Sequence, residues 1–165
     1  MYKHLLVALD GSPAAERVLR HAEALASAFH ATLTLVRATI SVDMILTETG
    51  GGGETALGQL ASPTVDPTPI LEADRSSAVD YLDGVASRLR SRGVTVNVEH
   101  PSGPARDVIL ERASALGVDL ILMTTHGRSR LGRMVFGSTA DSVLRHSTCP
   151  VLLVRITAED TPPTA

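Results

Sequence analysis

The run Val118-Asp119-Leu120-Ile121-Leu122-Met123-Thr124 constrains the fold more than any other stretch of the chain. It has strand length and is almost continuously apolar, without the polar alternation of a strand that faces water on one side. Such runs belong to strands covered on both faces, as in parallel sheets enclosed by helices. The neighbouring sequence supplies both partners. Residues 3–9, 32–38 and 150–156 are further strand-like runs, and 94–99 alternates apolar and polar, as an edge or half-buried strand does. Between them lie segments of helical spacing. One carries Val18, Ala22, Leu25 and Phe29, and another Ile70, Ala73, Ser77, Tyr81, Val85 and Leu89. Helices also fit 104–116 and 137–147. Strands alternating with helices predict an α/β fold: a mostly parallel sheet with helices on both faces.

Turn chemistry punctuates this pattern. Ser12 followed by Pro13 reads as a helix N-cap with proline at the first helical position. Arg88, Arg90 and Arg92 followed by Gly93 put cations at a helix C-terminus, with a glycine to end it. Residues 39–69, with Gly50 to Gly53 and Pro63, Pro67 and Pro69, are too long for an ordinary connection and read as an insertion with a short helix near 42–48. No internal repeat is found. One domain over 1–156 is expected, with the 39–69 insertion inside it and a fraying Pro/Thr-rich tail at 157–165.

Composition removes several classes of function. A net charge of −3 does not suit a protein that holds nucleic acid through a basic face. Four aromatic residues and no Trp leave little to stack on single-stranded bases. Lys3 is the only lysine and sits beside no glycine-rich turn, which excludes a P-loop NTPase and nearly excludes Schiff-base chemistry. A single cysteine, Cys149, allows no intrachain disulfide and reads as a small buried residue. No apolar run approaches the roughly 20 residues needed to span a bilayer. The opening MYKHLLVALDGS lacks a signal peptide's apolar segment and cleavage site, so a cytoplasmic location and no membrane partner are expected. His4, His21, His30, His100 and His146 fit no metal-ligand spacing.

In a doubly wound sheet, ligands sit at the carboxyl ends of strands where the strand order reverses. Three loops qualify: Asp10-Gly11-Ser12, the chain near Ala38, and Thr124 to Ser138. The last is the richest. Gly127 allows a sharp turn and a close backbone approach. Gly137 and Ser138 stand where a helix N-terminus would present bare N–H groups to an anion. Arg128, Arg130 and Arg133 add positive charge. The same residues also read structurally, with Ser138 as N-cap and Asp141 closing a capping box; the two readings are compatible. Asp10 likewise fits a turn-satisfying carboxylate or a ligand contact. Gly127-Arg128-Ser129-Arg130-Leu131 lacks the second glycine of a nucleophile elbow, and the dinucleotide fingerprint is absent after the first strand.

Residues 120–155 and 3–19 resemble the universal stress protein family, and the resemblance covers nearly the whole chain outside 39–69 and the tail. The family's ATP-binding members space a glycine, two residues, a glycine, nine residues and then Gly-Ser or Gly-Thr. Gly127 and Gly137-Ser138 match, while Thr124 stands at the first glycine position. The resemblance implies a Rossmann-like, five-stranded doubly wound sheet of order 3-2-1-4-5. It implies a bound ATP, with Asp10 accepting a hydrogen bond from the adenosine end and Ala38 bordering the adenine. Gly127, Gly137, Ser138 and Thr139 would hold the phosphates, with His126 and Arg128 near them. The strand-end residues Ala8, Leu9, Met123 and Thr124 complete the set. Mg2+ would ride in on the phosphates. The apolar strand 151–154 would pair with a second copy to form a homodimer.

The function expected on these grounds is an ATP-binding stress-response module without strong catalytic activity. Two alternatives stay open. One is a nucleotide-free interaction module of the same fold. The other is a slow ATP hydrolase or adenylyl-transferring enzyme, in which His126 would be the base.

Overall fold

The computed structural model describes residues 1–48, 66–125 and 137–155. Five strands form one sheet: β1 (His4–Ala8), β2 (Thr32–Val36), β3 (Val96–Glu99), β4 (Leu120–Thr124) and β5 (Val151–Val154). Their order is β3-β2-β1-β4-β5, and every pair is parallel. The order reverses between β1 and β4, which places the switch point at the carboxyl ends of those two strands. The helices are α1 (Leu19–Phe29), α2 (Val42–Glu48), α3 (Thr68–Arg90), α4 (Ala105–Ala115) and α5 (Ser138–His146). A short 3-10 turn at Ala15–Val18 precedes α1.

The period of two along the strands builds two cores. Leu5, Val7, Leu33, Leu35 and Leu122 point to one face and meet Val18, Ala22, Leu82 and Val85 of the α1/α3 layer. Leu6, Val36, Ile121 and Met123 point to the other face and meet Val108, Ile109, Ala140 and Val143 of the α4/α5 layer. All five residues of β4 are buried, as its apolar run requires.

Several expectations shift in detail. Helix formation after β1 starts as a 3-10 turn at Ala15, although Ser12 Oγ still accepts the Ala15 N–H at 3.1 Å. Phe29 is 38% exposed and makes an edge contact with Tyr2 rather than joining the core. The buried stripe of α3 is Ala78, Leu82, Val85, Ala86 and Leu89; Ala73 and Ser77 are exposed because the first turns of α3 lie beyond the strands. Cys149 is half-buried and packs against the α4/α5 core. The helix expected near 42–48 is α2. Thr39 pairs with Ser102 as an isolated bridge. Residues 49–65 of the insertion and the 157–165 tail lie outside the described residues.

The arginine run ends α3 as its charges predict, and each side chain finds a partner. Arg88 pairs with Glu16 at 2.6 Å and Arg92 with Glu23 at 2.7 Å. The Arg90 guanidinium donates twice to the Val96 carbonyl, at 2.6 and 3.2 Å. Among the described residues, no helix is long and apolar enough to cross a membrane.

Candidate functional site

A cavity of about 300 Å³ opens at the switch point. Ala8 and Leu9 of the β1 end and Met123 and Thr124 of the β4 end form its floor. Ala105 and Ile109 of α4 form one wall, and Gly137, Ser138, Thr139 and Ala140 of α5 form the other; Asp10 and Ala15 stand at the β1 side. The volume lies at the lower end of the roughly 300–1,000 Å³ typical of small-molecule sites. Its lining is largely apolar, with polar groups at Asp10, at Thr124 and Thr125 of the β4 end, and at the start of α5.

The Asp10 carboxylate is divided between two roles. Its Oδ1 accepts the Ser12 N–H at 2.9 Å, closing the turn in which Gly11 takes φ 84°. That backbone angle explains the glycine. Its Oδ2 is buried and has no hydrogen-bond partner. Unpaired buried oxygens are uncommon, and each leaves binding capacity unused. The turn reading and the ligand reading of Asp10 therefore both hold, one for each oxygen. The surroundings are electronegative. Burial, with the Glu16 and Asp10 carboxylates nearby, pushes the Tyr81 phenol far above its usual range. The Tyr81 hydroxyl is buried beside the Glu16 carboxylate.

The α5 terminus differs from its expected form. Gly137, not Ser138, is the N-cap, and no side chain caps the helix. Asp141 closes no capping box; its carboxylate accepts from Arg145 at 2.9 Å. The cause is a long-range tie. The Gly137 N–H donates to the Thr125 carbonyl at 2.7 Å, and the Thr125 N–H donates to Val154 at 3.0 Å. This places Gly137 at the boundary and draws Ser138 into the first turn. The Gly137 carbonyl accepts the Asp141 N–H at 2.9 Å, so the first helical bond spans the next three residues. The N–H groups of Ser138, Thr139 and Ala140 consequently have no partner within the helix, and these residues line the cavity. Gly137 has φ −64° and ψ 153°, which any residue can adopt. Its lack of a side chain leaves space at the cavity wall and is not needed by the backbone.

Of the sequence-predicted residues, Ala8, Leu9, Asp10, Met123, Thr124, Gly137, Ser138 and Thr139 converge on this cavity. Ala38 does not line it; it packs against the α4/α5 core. His126, Gly127 and Arg128 lie outside the described residues. Ala105 and Ile109 were not foreseen, because α4 reaches the site only through tertiary packing. Arg37 was also missed. It is 5% exposed, donates to the Ser77 carbonyl at 3.2 Å, contacts Asp74 at 3.4 Å and lies over the Tyr81 ring. Asp74 in turn accepts the Ile40 N–H at 2.8 Å, so this buried cation ties α3 to the β2 end. Its only sequence signal is an arginine closing an apolar strand. No cluster of three or more metal-ligating side chains occurs among the described residues.

Known proteins share this arrangement. Universal stress protein A homolog 2 of Coxiella burnetii is 33% identical over 159 residues, covering 94% of this chain and 96% of its own length. A universal stress protein family structure from Burkholderia pseudomallei superposes with a TM-score of 0.70 at 29% identity, covering 93% and 96% of the two chains. A universal stress protein family protein from Arabidopsis thaliana, solved with AMP bound, shares the fold at a TM-score of 0.65 and 16% identity, covering 98% of this chain and 96% of that one. Residues 1–155 match the pattern of the Universal stress protein family. The family match over 1–155 and the 33% identity over nearly the whole of both chains show that the chain belongs to the universal stress protein family.

Proposed function

We propose that this chain binds an adenine nucleotide, ATP in particular, in the switch-point cavity and acts as a stress-response module regulated by that occupancy. One observation carries the reading. A single cavity has a buried, partnerless Asp10 Oδ2 at one side and the open N-terminus of α5 at the other. A carboxylate oxygen accepts hydrogen bonds from a nucleoside's hydroxyl or amino groups, and a helix terminus attracts phosphate. The two ends of a nucleotide match these two ends of the site. AMP in the Arabidopsis protein of the same fold supports the choice of adenine nucleotide.

His126, Gly127 and Arg128 are proposed to complete the phosphate contacts. Mg2+ is proposed to ride on phosphate oxygens and water. Strong catalysis is not part of the proposal, and any hydrolysis is slow. The setting is a reducing compartment, the cytoplasm.

The test is to denature the purified protein and identify the released nucleotide by chromatography. Bound ATP supports the reading. ADP or AMP with steady turnover points to an enzyme. No released nucleotide, with no heat on titrating Mg-ATP, overturns it.

A homodimer through β5 is proposed on the contrast between the two sheet edges. At β3 the outward Val96 carbonyl is already occupied by Arg90. At β5 the half-buried Val151, Leu152 and Leu153 form an apolar edge, an invitation to pair with another strand. Light scattering at micromolar concentration should give twice the 17.3 kDa chain mass, and the mass of one chain would reject the dimer.

A further inference from the structure

A second hollow, of about 390 Å³, lies at the carboxyl end of β3, away from the switch point. Arg75 of α3, Glu99 and His100 at the β3 end, Ser102 and Arg112 of α4 line it. Its chemistry differs from that of the first cavity, because charged side chains rather than strand-end carbons dominate the lining. Arg112 and Glu99 face one another there, with Nη1 and Oε2 3.7 Å apart. That separation is too long for a hydrogen bond. Arg112 Nε and Glu99 Oε2 are both buried, and neither has a hydrogen-bond partner. Arg75 is exposed and makes no ion pair among the described residues. The Arg37–Asp74, Arg88–Glu16, Arg92–Glu23, Arg106–Asp107 and Arg145–Asp141 pairs are all 3.4 Å or shorter. The Glu99–Arg112 pair is thus loosely engaged, with one donor and one acceptor unused.

A ligand that completes this set must accept from two guanidinium groups and donate to a carboxylate. Hydrogen phosphate does both: its anionic oxygens suit the arginines, and its remaining proton suits Glu99. A fully ionised oxyanion such as sulfate has no proton to offer and would set a bare oxygen against the carboxylate. We infer that the β3-end hollow is a binding site for hydrogen phosphate or a singly protonated phosphate monoester, held by Arg75 and Arg112, with Glu99 accepting the phosphate proton. Neither Arg112 Nε nor Glu99 Oε2 is fixed by a hydrogen bond, so the pair can turn toward the ligand at little cost.

The test is an amide and arginine Nε–H NMR titration of the full chain at about pH 6, where a monoester keeps its proton on a substantial fraction of molecules, with inorganic phosphate, then sulfate, then glycerol phosphate. Saturable shifts are expected at Glu99, His100, Ser102 and Gly103 and at the Arg112 side chain, with sulfate weaker by about tenfold or more, one charge-assisted contact being at stake. Arg75→Gln should weaken phosphate by about tenfold without loss of fold, because Arg75 is exposed. Glu99→Gln should abolish the preference for phosphate over sulfate, since a carboxamide can donate. Tighter binding of glycerol phosphate identifies a monoester as the ligand, and tighter binding of the free ion identifies inorganic phosphate. Shifts confined to Ser138–Ala140, no saturation, or equal response to phosphate and sulfate would overturn the site. Because the readout is residue by residue, its failure is distinct from failure of the nucleotide reading.

Discussion

Asp10 and Asp119 stand at opposite ends of the same sheet, and their surroundings differ in kind. At the amino end, Asp119 Oδ2 accepts both the Lys3 N–H at 2.6 Å and the His4 N–H at 2.8 Å. These bonds hold its carboxyl below the usual carboxylate range. The neighbouring His4 ring is engaged at both nitrogens, with the Leu116 carbonyl at 3.2 Å and Thr34 Oγ1 at 2.7 Å. At the carboxyl end, Asp10 uses one oxygen and leaves the other without a partner. Among the described residues, Glu99 at the β3 carboxyl end and Arg112 of α4 facing it also hold buried atoms without a hydrogen-bond partner. The amino end spends its polar groups on holding the chain together. The carboxyl end withholds some of them, which is the physical signature of a surface built to meet a ligand.

This contrast can be broken at either end. The largest effect is expected from Gly137→Val. The backbone angles suit valine, so the fold should persist, while side-chain atoms intrude on the phosphate approach. Loss of two amide contacts to a charged group corresponds to about 100-fold or more in nucleotide affinity, measurable by calorimetry. Unchanged affinity in the folded variant would move the site elsewhere. Asp10→Asn keeps an oxygen for the Ser12 N–H but replaces the free acceptor by a donor. Nucleotide affinity should fall by about tenfold or more, with inorganic triphosphate unaffected and thermal stability unchanged. Equal losses for both ligands would show that Asp10 does not read the nucleoside.

At the amino end the pattern should invert. Thr34→Val removes the partner of His4 Nε2 in a fully buried position and should cost about 1 kcal/mol in chemical denaturation, leaving nucleotide affinity intact. The smallest effect is expected from Asp119→Asn. The folded carboxyl is depressed, so its stabilisation is present above the unfolded value and fades as pH falls through the folded one. The variant should therefore melt slightly below the parent at neutral pH and alongside it in strong acid. A gap that persisted in acid would mean that charge is not what Asp119 contributes.

The parts of this molecule that were legible in its residues are those fixed by local chemistry. β4 declared itself because burial on both faces demands an unbroken apolar run. The end of α3 was legible in Arg88, Arg90, Arg92 and Gly93, because cations and a left-handed glycine (φ 84° at Gly93) suit a helix C-terminus whatever partners the arginines find beyond it. The start of α5 was misread because its boundary is set by a bond from Gly137 to Thr125, across a stretch of chain that no local pattern spans. Ile109 escaped notice because an apolar residue in a helix looks the same whether it faces a core or a cavity. Ala38 was expected at the adenine through the family likeness. Strand alternation sends it to the α4/α5 face, where the cavity residues Ile109, Met123 and Ala140 also lie, and sends Arg37 toward α3.

The Thr125–Gly137 bond has a consequence for how such a protein can change. It joins the end of β4 to the start of α5 at the cavity's rim, and the Thr125 N–H carries the tie on to β5. Substitutions that leave this main-chain tie in place can therefore reshape the cavity rim while the sheet below keeps its register.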